Sequence, residues 1–133
     1  MKRLLIALVL ACVATSGFAQ KKEKPGVFFV EPNNGATVEQ EFKVVMGVRG
    51  MEVNPAGEIV PNSGHHHLLI DTSPVKNGEV IPADEHHLHF GKGQTETTVK
   101  LAPGTHKLQL QFADGKHQSY GPAMSKTITV IVK

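Results

Sequence analysis

The chain has a single cysteine, Cys12, and no tryptophan among its 133 residues. Cys12 lies in an N-terminal segment that we expect to be removed, so the remaining chain can form neither a disulfide nor a metal–thiolate bond. Its stability must come from packing, although we expect it to reach an oxidising compartment. Any metal ion would be held by nitrogen, oxygen or thioether. As an alternative, Cys12 is lipidated and anchors the protein to a membrane.

The chain also lacks a large excess of charge of one sign. Its 14 basic and 12 acidic residues give a formal net charge of +2, and Lys2 and Arg3 account for that excess. Without these two residues the chain is neutral and offers no basic surface for nucleic acid or anionic lipid. We therefore predict no nucleic-acid partner and, after removal of the N-terminal segment, no membrane insertion.

The N-terminal segment has the parts of a secretory signal peptide. Lys2 and Arg3 form a charged n-region, and Leu4 to Val13 form an apolar h-region that is too short to span a bilayer. A small-residue cleavage site follows, which predicts a periplasmic or secreted protein. The predicted organisation is a signal peptide over residues 1–19, a short polar tether over residues 20–26 and a β-sandwich domain over residues 27–133.

The rest of the chain reads as short strands separated by turns. Phe42, Val44 and Met46 alternate with other residues at the period of two expected for a half-buried strand. Proline, glycine and asparagine mark the turns between such segments. About seven short strands without a helical period predict an all-β fold, a single small antiparallel β-sandwich of the immunoglobulin-like type. The alternative is a small cupin-like barrel.

Histidine is concentrated in two of these strands. Six of the eight histidines lie in residues 64–71 and 86–90. Alternate side chains of a strand share a face at a spacing of roughly 6.5–7 Å, so His65 and His67 share one face, as do His87 and His89. If Leu68 and Ile70 of the first segment, and Leu88 and Phe90 of the second, point into the core, both pairs point away from it, towards solvent. The opposite orientation stays open, because Leu69 competes with Leu68 for the core.

Two alternating histidine pairs on neighbouring strands predict a transition-metal site. Neutral imidazole is the commonest protein ligand for late first-row metals, and a nitrogen-rich set without thiolate suits copper and zinc. We predict that His65, His67, His87 and His89 bind a metal ion, preferably copper and alternatively zinc, in a carrier or buffer. Further candidate ligands are His66, Met51, Glu96, His106 and His117.

Neighbouring residues have predicted supporting roles. His66 falls on the face of Leu68 and is expected to be packed and hydrogen-bonded. Asp71 continues the face of the first histidine pair and is expected to orient one of its rings.

Three other interpretations of the histidines stay open. They could be half-buried structural residues, they could sense pH, or they could belong to a metal-free interaction module that binds an envelope protein and no cofactor. The sequence contains no nucleophile elbow and no phosphate-binding glycine loop. We therefore predict no catalytic residue and favour a protein that is not an enzyme.

The sequence also resembles a known family. The resemblance rests on the segments VFFVEPNNGATV, FKVVMGVRGMEVNPAG, GHHHLLID, IPADEHHLHFGKGQTETTV and LAPGTHKLQLQFAD. These are similar to the bacterial family called domain of unknown function 4399 (DUF4399), which consists of small exported proteins, and the resemblance covers Val27 to Lys133. It implies export and these segment boundaries, and it implies no activity.

The family pattern can be carried over position by position. The positions it singles out are His65, His66, His67, His87, His89, Gly91, Gln94, Thr95, Glu96, His106 and His117, whereas His86 is variable. Members often carry one more histidine shortly after the position of His117, where this chain has Ser119 and Tyr120.

Overall fold

The structure is a computed structural model that describes residues 11–14, 16–19 and 21–133. The predicted n-region, residues 4–10 of the predicted h-region and residue 20 lie outside the described residues. Within the described ranges, no helix is long and apolar enough to cross a membrane.

The described residues form nine strands and one short 3-10 helix, which confirms the predicted all-β fold. The strands are β1 Gly26–Glu31, β2 Thr37–Val38, β3 Glu41–Arg49, β4 Glu52–Val53, β5 Ser63–Ile70, β6 His87–His89, β7 Glu96–Lys100, β8 Gly104–Ala113 and β9 Ser125–Val132. The 3-10 helix, Pro122–Met124, precedes β9 directly.

The strands form two sheets. One sheet has the strand order β1-β3-β7. The other has the order β2-β9-β8-β5, and both β4 and β6 pair with the edge of β5 that is opposite β8. The pairs β2–β9 and β4–β5 are parallel and the others are antiparallel. In this order β1, β3 and β7 correspond to strands A, B and E of an immunoglobulin-like sandwich, opposite strands C, F and G. The predicted sandwich is therefore confirmed, and the described residues do not form the closed barrel of the cupin alternative.

The core lies between the two sheets. Val44 of the three-stranded sheet shares one buried cluster with Leu68 and Phe112 of the larger sheet, and all three are 0% exposed. Phe42, Val44 and Met46 are buried while the residue between the first two is exposed, as the period of two predicts. Local alternation in β3 therefore sets which of its side chains enter the core.

Strand β8 departs from simple alternation. Gln109 and Gln111 alternate with Leu108 and Leu110 along this strand, yet both glutamines are buried. Residues 74–76, after β5, lie on this outer face with both glutamines, and the segment before β9 covers Gln111 as well. The side-chain amide of Gln111 donates to the carbonyl oxygens of Phe112 at 3.2 Å and Gly121 at 3.0 Å, so its burial is compensated by hydrogen bonds.

Strand β5 is buried on both faces along its whole length. Leu68 and Ile70 belong to the core between the sheets, whereas Leu69 belongs to a second apolar cluster on the outer face. That second cluster also contains Val75 and Ile81 from residues 71–86, the segment between β5 and β6 that we call the covering segment. The expectation that His65 and His67 point into solvent is therefore wrong.

Backbone hydrogen bonds attach the covering segment to the chain that follows β8. The amide of Gly78 donates to the carbonyl of Ser119 at 2.8 Å, and the amide of Ile81 donates to the carbonyl of His117 at 2.9 Å. These bonds are long-range in sequence. Strand periodicity alone therefore could not show that the outer face of β5 is covered.

Candidate metal centre

Four histidines meet beneath the covering segment. His65 and His67 lie on β5, His89 lies on β6 and His117 lies in the turn after β8. One ring nitrogen from each can be chosen so that all four atoms lie within 4.8 Å of one another. We call this group the histidine cluster. Two of its members, His65 and His67, are almost completely buried.

The register between β5 and β6 selects His89 for the cluster. His67 lies directly opposite His89, and Leu69 lies opposite His87. Because the side chains of opposed residues stand side by side, His89 is the nearest β6 side chain to His67. The ring centroids of His67 and His89 are 5.1 Å apart.

A tight turn brings His117 to the same place. The carboxylate of Asp114 accepts hydrogen bonds from the amides of Lys116 at 2.8 Å and Gln118 at 3.0 Å. His117 has a φ of 64°, in the left-handed region that a turn of this kind uses. Gly115 is needed there, because a Cβ on it would lie 2.2 Å from the carbonyl oxygen of Glu58.

The shortest contacts in the cluster join ring nitrogens. His65 Nε2 lies 3.0 Å from His67 Nε2 and 3.1 Å from His117 Nδ1. In a neutral imidazole one nitrogen donates and the other accepts, so these three atoms cannot all present lone pairs without repulsion. A shared proton removes the repulsion at one contact. A cation placed among the nitrogens removes it at all of them.

The electrostatic environment favours the neutral form of His65, His67 and His89. Burial and then the neighbouring imidazoles lower the pKa of His65 to about 4 and the pKa of His67 to about 2. Burial and then His117 lower the pKa of His89. Charging a buried imidazole beside other imidazoles is unfavourable. At neutral pH the lone pairs of these rings are therefore free to bind a metal ion.

His89 depends on a neighbouring glycine for its position. A Cβ on Gly91 would lie 2.4 Å from His89 Nε2, so the absence of a side chain at position 91 lets the ring occupy its place. Gly91 belongs to the pattern that the family resemblance singles out. The lack of a side chain at this position therefore leaves the space that the ring of His89 occupies.

A small cavity opens onto the cluster. It measures about 60 Å³ and is lined by His67, His89 and His117 on one side. Its other side is formed by Ile81, Pro82 and Ala83. A larger cavity of about 240 Å³ lies elsewhere on the outer face of the same sheet, and none of its lining residues belongs to the cluster.

His87 was predicted as a ligand, and the structure places it outside the cluster. Its Nδ1 lies 2.6 Å from a carboxylate oxygen of Asp84 at the end of the covering segment. It stands opposite Leu69, two residues along the strand from the pair formed by His67 and His89. The four histidines that meet are therefore His65, His67, His89 and His117, the last of which was only a further candidate.

His66 lies on the other face of β5, inside the sandwich. The expectation that it packs on the side of Leu68 is confirmed, since its ring centroid is 5.1 Å from that of Phe112. The expectation that it is hydrogen-bonded is wrong: neither ring nitrogen has a partner within the described part of the chain. Burial and then the charge of His65 lower the pKa of His66 to about 4.

The remaining candidate ligands lie elsewhere. Met51 packs against the core between the sheets, and Glu96 forms an exposed ion pair with Lys43 at 3.3 Å. His106 Nδ1 lies 2.6 Å from Asp71 Oδ2. The expectation that Asp71 orients a ring of the first histidine pair is therefore wrong, because this carboxylate is engaged by His106.

The fold and the site define a class: a small all-β sandwich protein with a histidine cluster that could hold a metal ion. The chain belongs to the family Domain of unknown function (DUF4399), whose model matches residues 44–133, more than half of the chain. The matched region contains the whole histidine cluster, and the match confirms the resemblance seen in the sequence. No curated protein and no solved structure gives a significant match to the chain.

Proposed function

We propose that this protein binds a transition-metal ion, preferably copper, through His65, His67, His89 and His117. We further propose that it is exported to the periplasm or beyond and acts there as a carrier or buffer of the ion. The observation that carries the proposal is the convergence of four imidazole nitrogens within 4.8 Å of one another.

The spacing of these nitrogens suits a metal ion. Imidazole binds zinc at about 2.0–2.1 Å, which puts tetrahedral ligand atoms about 3.3–3.4 Å apart. Two contacts of the cluster measure 3.0 and 3.1 Å, and none of the chosen nitrogens is more than 4.8 Å from another. Small ring movements would therefore complete a four-coordinate site.

The donor set supports copper or zinc. Imidazole suits both ions, and Cu(II) has the highest affinity in the divalent series for a given set of nitrogen ligands. Met51 packs in the core, so the preference for copper rests on this affinity order and not on a thioether ligand. Zinc is the alternative because four nitrogens at these distances also suit a tetrahedral ion.

The number of ligands favours a carrier or buffer over a catalytic site. Four protein ligands close the coordination shell of a four-coordinate ion, whereas catalytic sites usually keep one position open for water or substrate. The proposed export rests on the predicted signal peptide and on the family resemblance.

Metal analysis of the purified, untagged protein tests the proposal. Elemental mass spectrometry gives the ion content, and calorimetric titration of metal-free protein with copper and zinc gives the affinities. We expect near-stoichiometric binding that the double substitution His67→Ala with His89→Ala abolishes. His86→Ala is the matched control, because His86 is exposed and hydrogen-bonds to the carbonyl of Ile70 outside the cluster.

A wild-type protein with no affinity tighter than about 1 μM, or about −8 kcal/mol, would contradict the proposal. It would favour the metal-free interaction module. The variant His87→Ala separates the two possible ligand sets. Retained affinity supports His117 as the fourth ligand, and lost affinity would support the set predicted from strand alternation.

A further inference from the structure

We infer that the metal ion reaches the histidine cluster through the opening at Ile81, Pro82 and Ala83, and that His89 and His117 bind it before His67 and His65. We infer also that the ion arrives hydrated or with small ligands, and not inside a bulky chelate. The inference rests on the metal-binding function proposed above. It concerns the path and the form in which the ion is taken up.

The exposure of the four rings falls in a clear order. His89 is exposed and His117 is partly buried, whereas His67 and His65 are 1% and 0% exposed. His89, His117 and His67 line the cavity, and His65 does not. An ion that comes from solvent through this cavity therefore meets the two outer rings first and His65 last.

The size of the cavity limits what can pass. The cavity measures about 60 Å³, room for a few water molecules, whereas pockets that hold drug-sized ligands measure about 300–1,000 Å³. An ion can enter with some of its water ligands, which imidazole nitrogens then replace. A chelating molecule with many atoms cannot follow the ion to the buried rings.

The rim of the opening is attached at both ends. The amide of Ile81 donates to the carbonyl of His117 at 2.9 Å. At the other end a carboxylate oxygen of Asp84 accepts from the amide of His86 at 2.9 Å and lies 2.6 Å from His87 Nδ1. The rim is thus bound to the turn that carries His117 and to the strand that carries His89.

These attachments give His87 a role as a positioning residue. It is two residues from His89 on β6, and its contact with Asp84 holds the end of the rim against that strand. Without this contact the end of the rim would keep only the bonds that Asp84 accepts from the amides of His86, at 2.9 Å, and His87, at 3.2 Å, so we expect the rim to open more often. His87 therefore acts on access to the cluster without coordinating the ion.

The substitution Ala83→Phe tests the path. Ala83 is exposed and lies on the rim, so a phenyl ring there narrows the opening without entering the core. A barrier on the path leaves the bound and free states unchanged, so the association and dissociation rates should fall together, by about tenfold, at constant Kd. Stopped-flow mixing with Cu(II) measures association. Ala123→Phe is the control, because Ala123 is exposed on the 3-10 helix and does not line the cavity.

Transfer of the bound ion to excess EDTA measures dissociation and tests the form of the ion. We expect the transfer rate to be independent of EDTA concentration, because the chelator must wait for the ion to leave. A rate that rises in proportion to EDTA concentration would show direct attack on the bound ion and would overturn the size argument.

The outcomes separate this inference from the proposed function. Normal affinity with unchanged rates in Ala83→Phe would overturn the path alone, whereas absence of metal binding by the wild type would overturn both. Should Ala83→Phe fail to fold, His87→Ala gives the opposite test. It should raise both rates together at constant Kd, and unchanged rates in that variant would overturn the path.

Discussion

Replacing His66 by leucine should stabilise the metal-free protein, and the gain should be larger at pH 5 than at pH 7. The ring of His66 is fully buried, and neither of its nitrogens has a hydrogen-bond partner in the described ranges. A buried polar group without a partner costs about 1–3 kcal/mol. The variant also loses the edge-on contact with Phe112, which destabilises it by about 0.5–1.5 kcal/mol. We expect a net gain of about 1 kcal/mol at pH 7.

The pH dependence follows from the pKa of His66, which burial and then the charge of His65 lower from 6.5 to about 4. Between these two values the unfolded chain binds a proton that the folded chain does not, so stability falls as the pH falls from about 6.5 to about 4. Between pH 7 and pH 5 this single group accounts for a loss of about 2 kcal/mol. Leucine removes that loss, which raises the advantage of the variant to about 3 kcal/mol at pH 5.

Urea unfolding followed by circular dichroism measures the effect. Both proteins are first freed of metal by a chelator, because an ion bound to the folded state would add its own stabilisation. The other histidines are common to both proteins, so their titration largely cancels in the difference. A difference that is the same at pH 7 and pH 5, or a leucine variant that is the less stable protein at both, would refute the reasoning.

Three other predictions concern neighbouring parts of the molecule. Gly91→Ala puts a Cβ 2.4 Å from His89 Nε2, so titration should show metal affinity lowered by about tenfold while the metal-free protein keeps its urea midpoint; unchanged affinity would argue against His89 as a ligand. Gly64→Ala puts a Cβ 2.1 Å from a carbonyl oxygen of β8, and urea unfolding should show a loss of about 2–4 kcal/mol, whereas a neutral effect would contradict this strand contact. The hydrogen bond to Asp71 raises the pKa of His106 above 6.5. Burial raises the pKa of Asp71, but the hydrogen bonds from His106 and the Lys107 amide, with the nearby histidines, outweigh it and lower that pKa below 3.8. The stability that His106→Ala removes should therefore be fully present between pH 3.8 and pH 6.5. It should decline as the pH rises through the raised pKa of His106 and as the pH falls through the lowered pKa of Asp71. A loss in urea unfolding that does not depend on pH would exclude this linkage.

Much of the fold could be predicted from local pattern. The alternation of Phe42, Val44 and Met46 predicted a strand with one buried face, and β3 has that strand and that face. In β8 the polar residue Gln111 occupies the alternate face, yet it is buried there by other segments of the chain. A half-buried strand and a fully buried strand with a polar face have the same alternation. Only the packing of other segments distinguishes them.

The sequence by itself determined that His65 and His67 share a face, because successive side chains of a strand point to opposite sides of the sheet. It also determined the all-β class, through short alternating segments and their turns. The tertiary structure decided which histidines join that pair. The β5–β6 register put His89 opposite His67 and left His87 beside Leu69, and a turn after β8 added His117. Alternation is set by the geometry of one strand, whereas register, turn placement and burial depend on contacts between segments far apart in the chain.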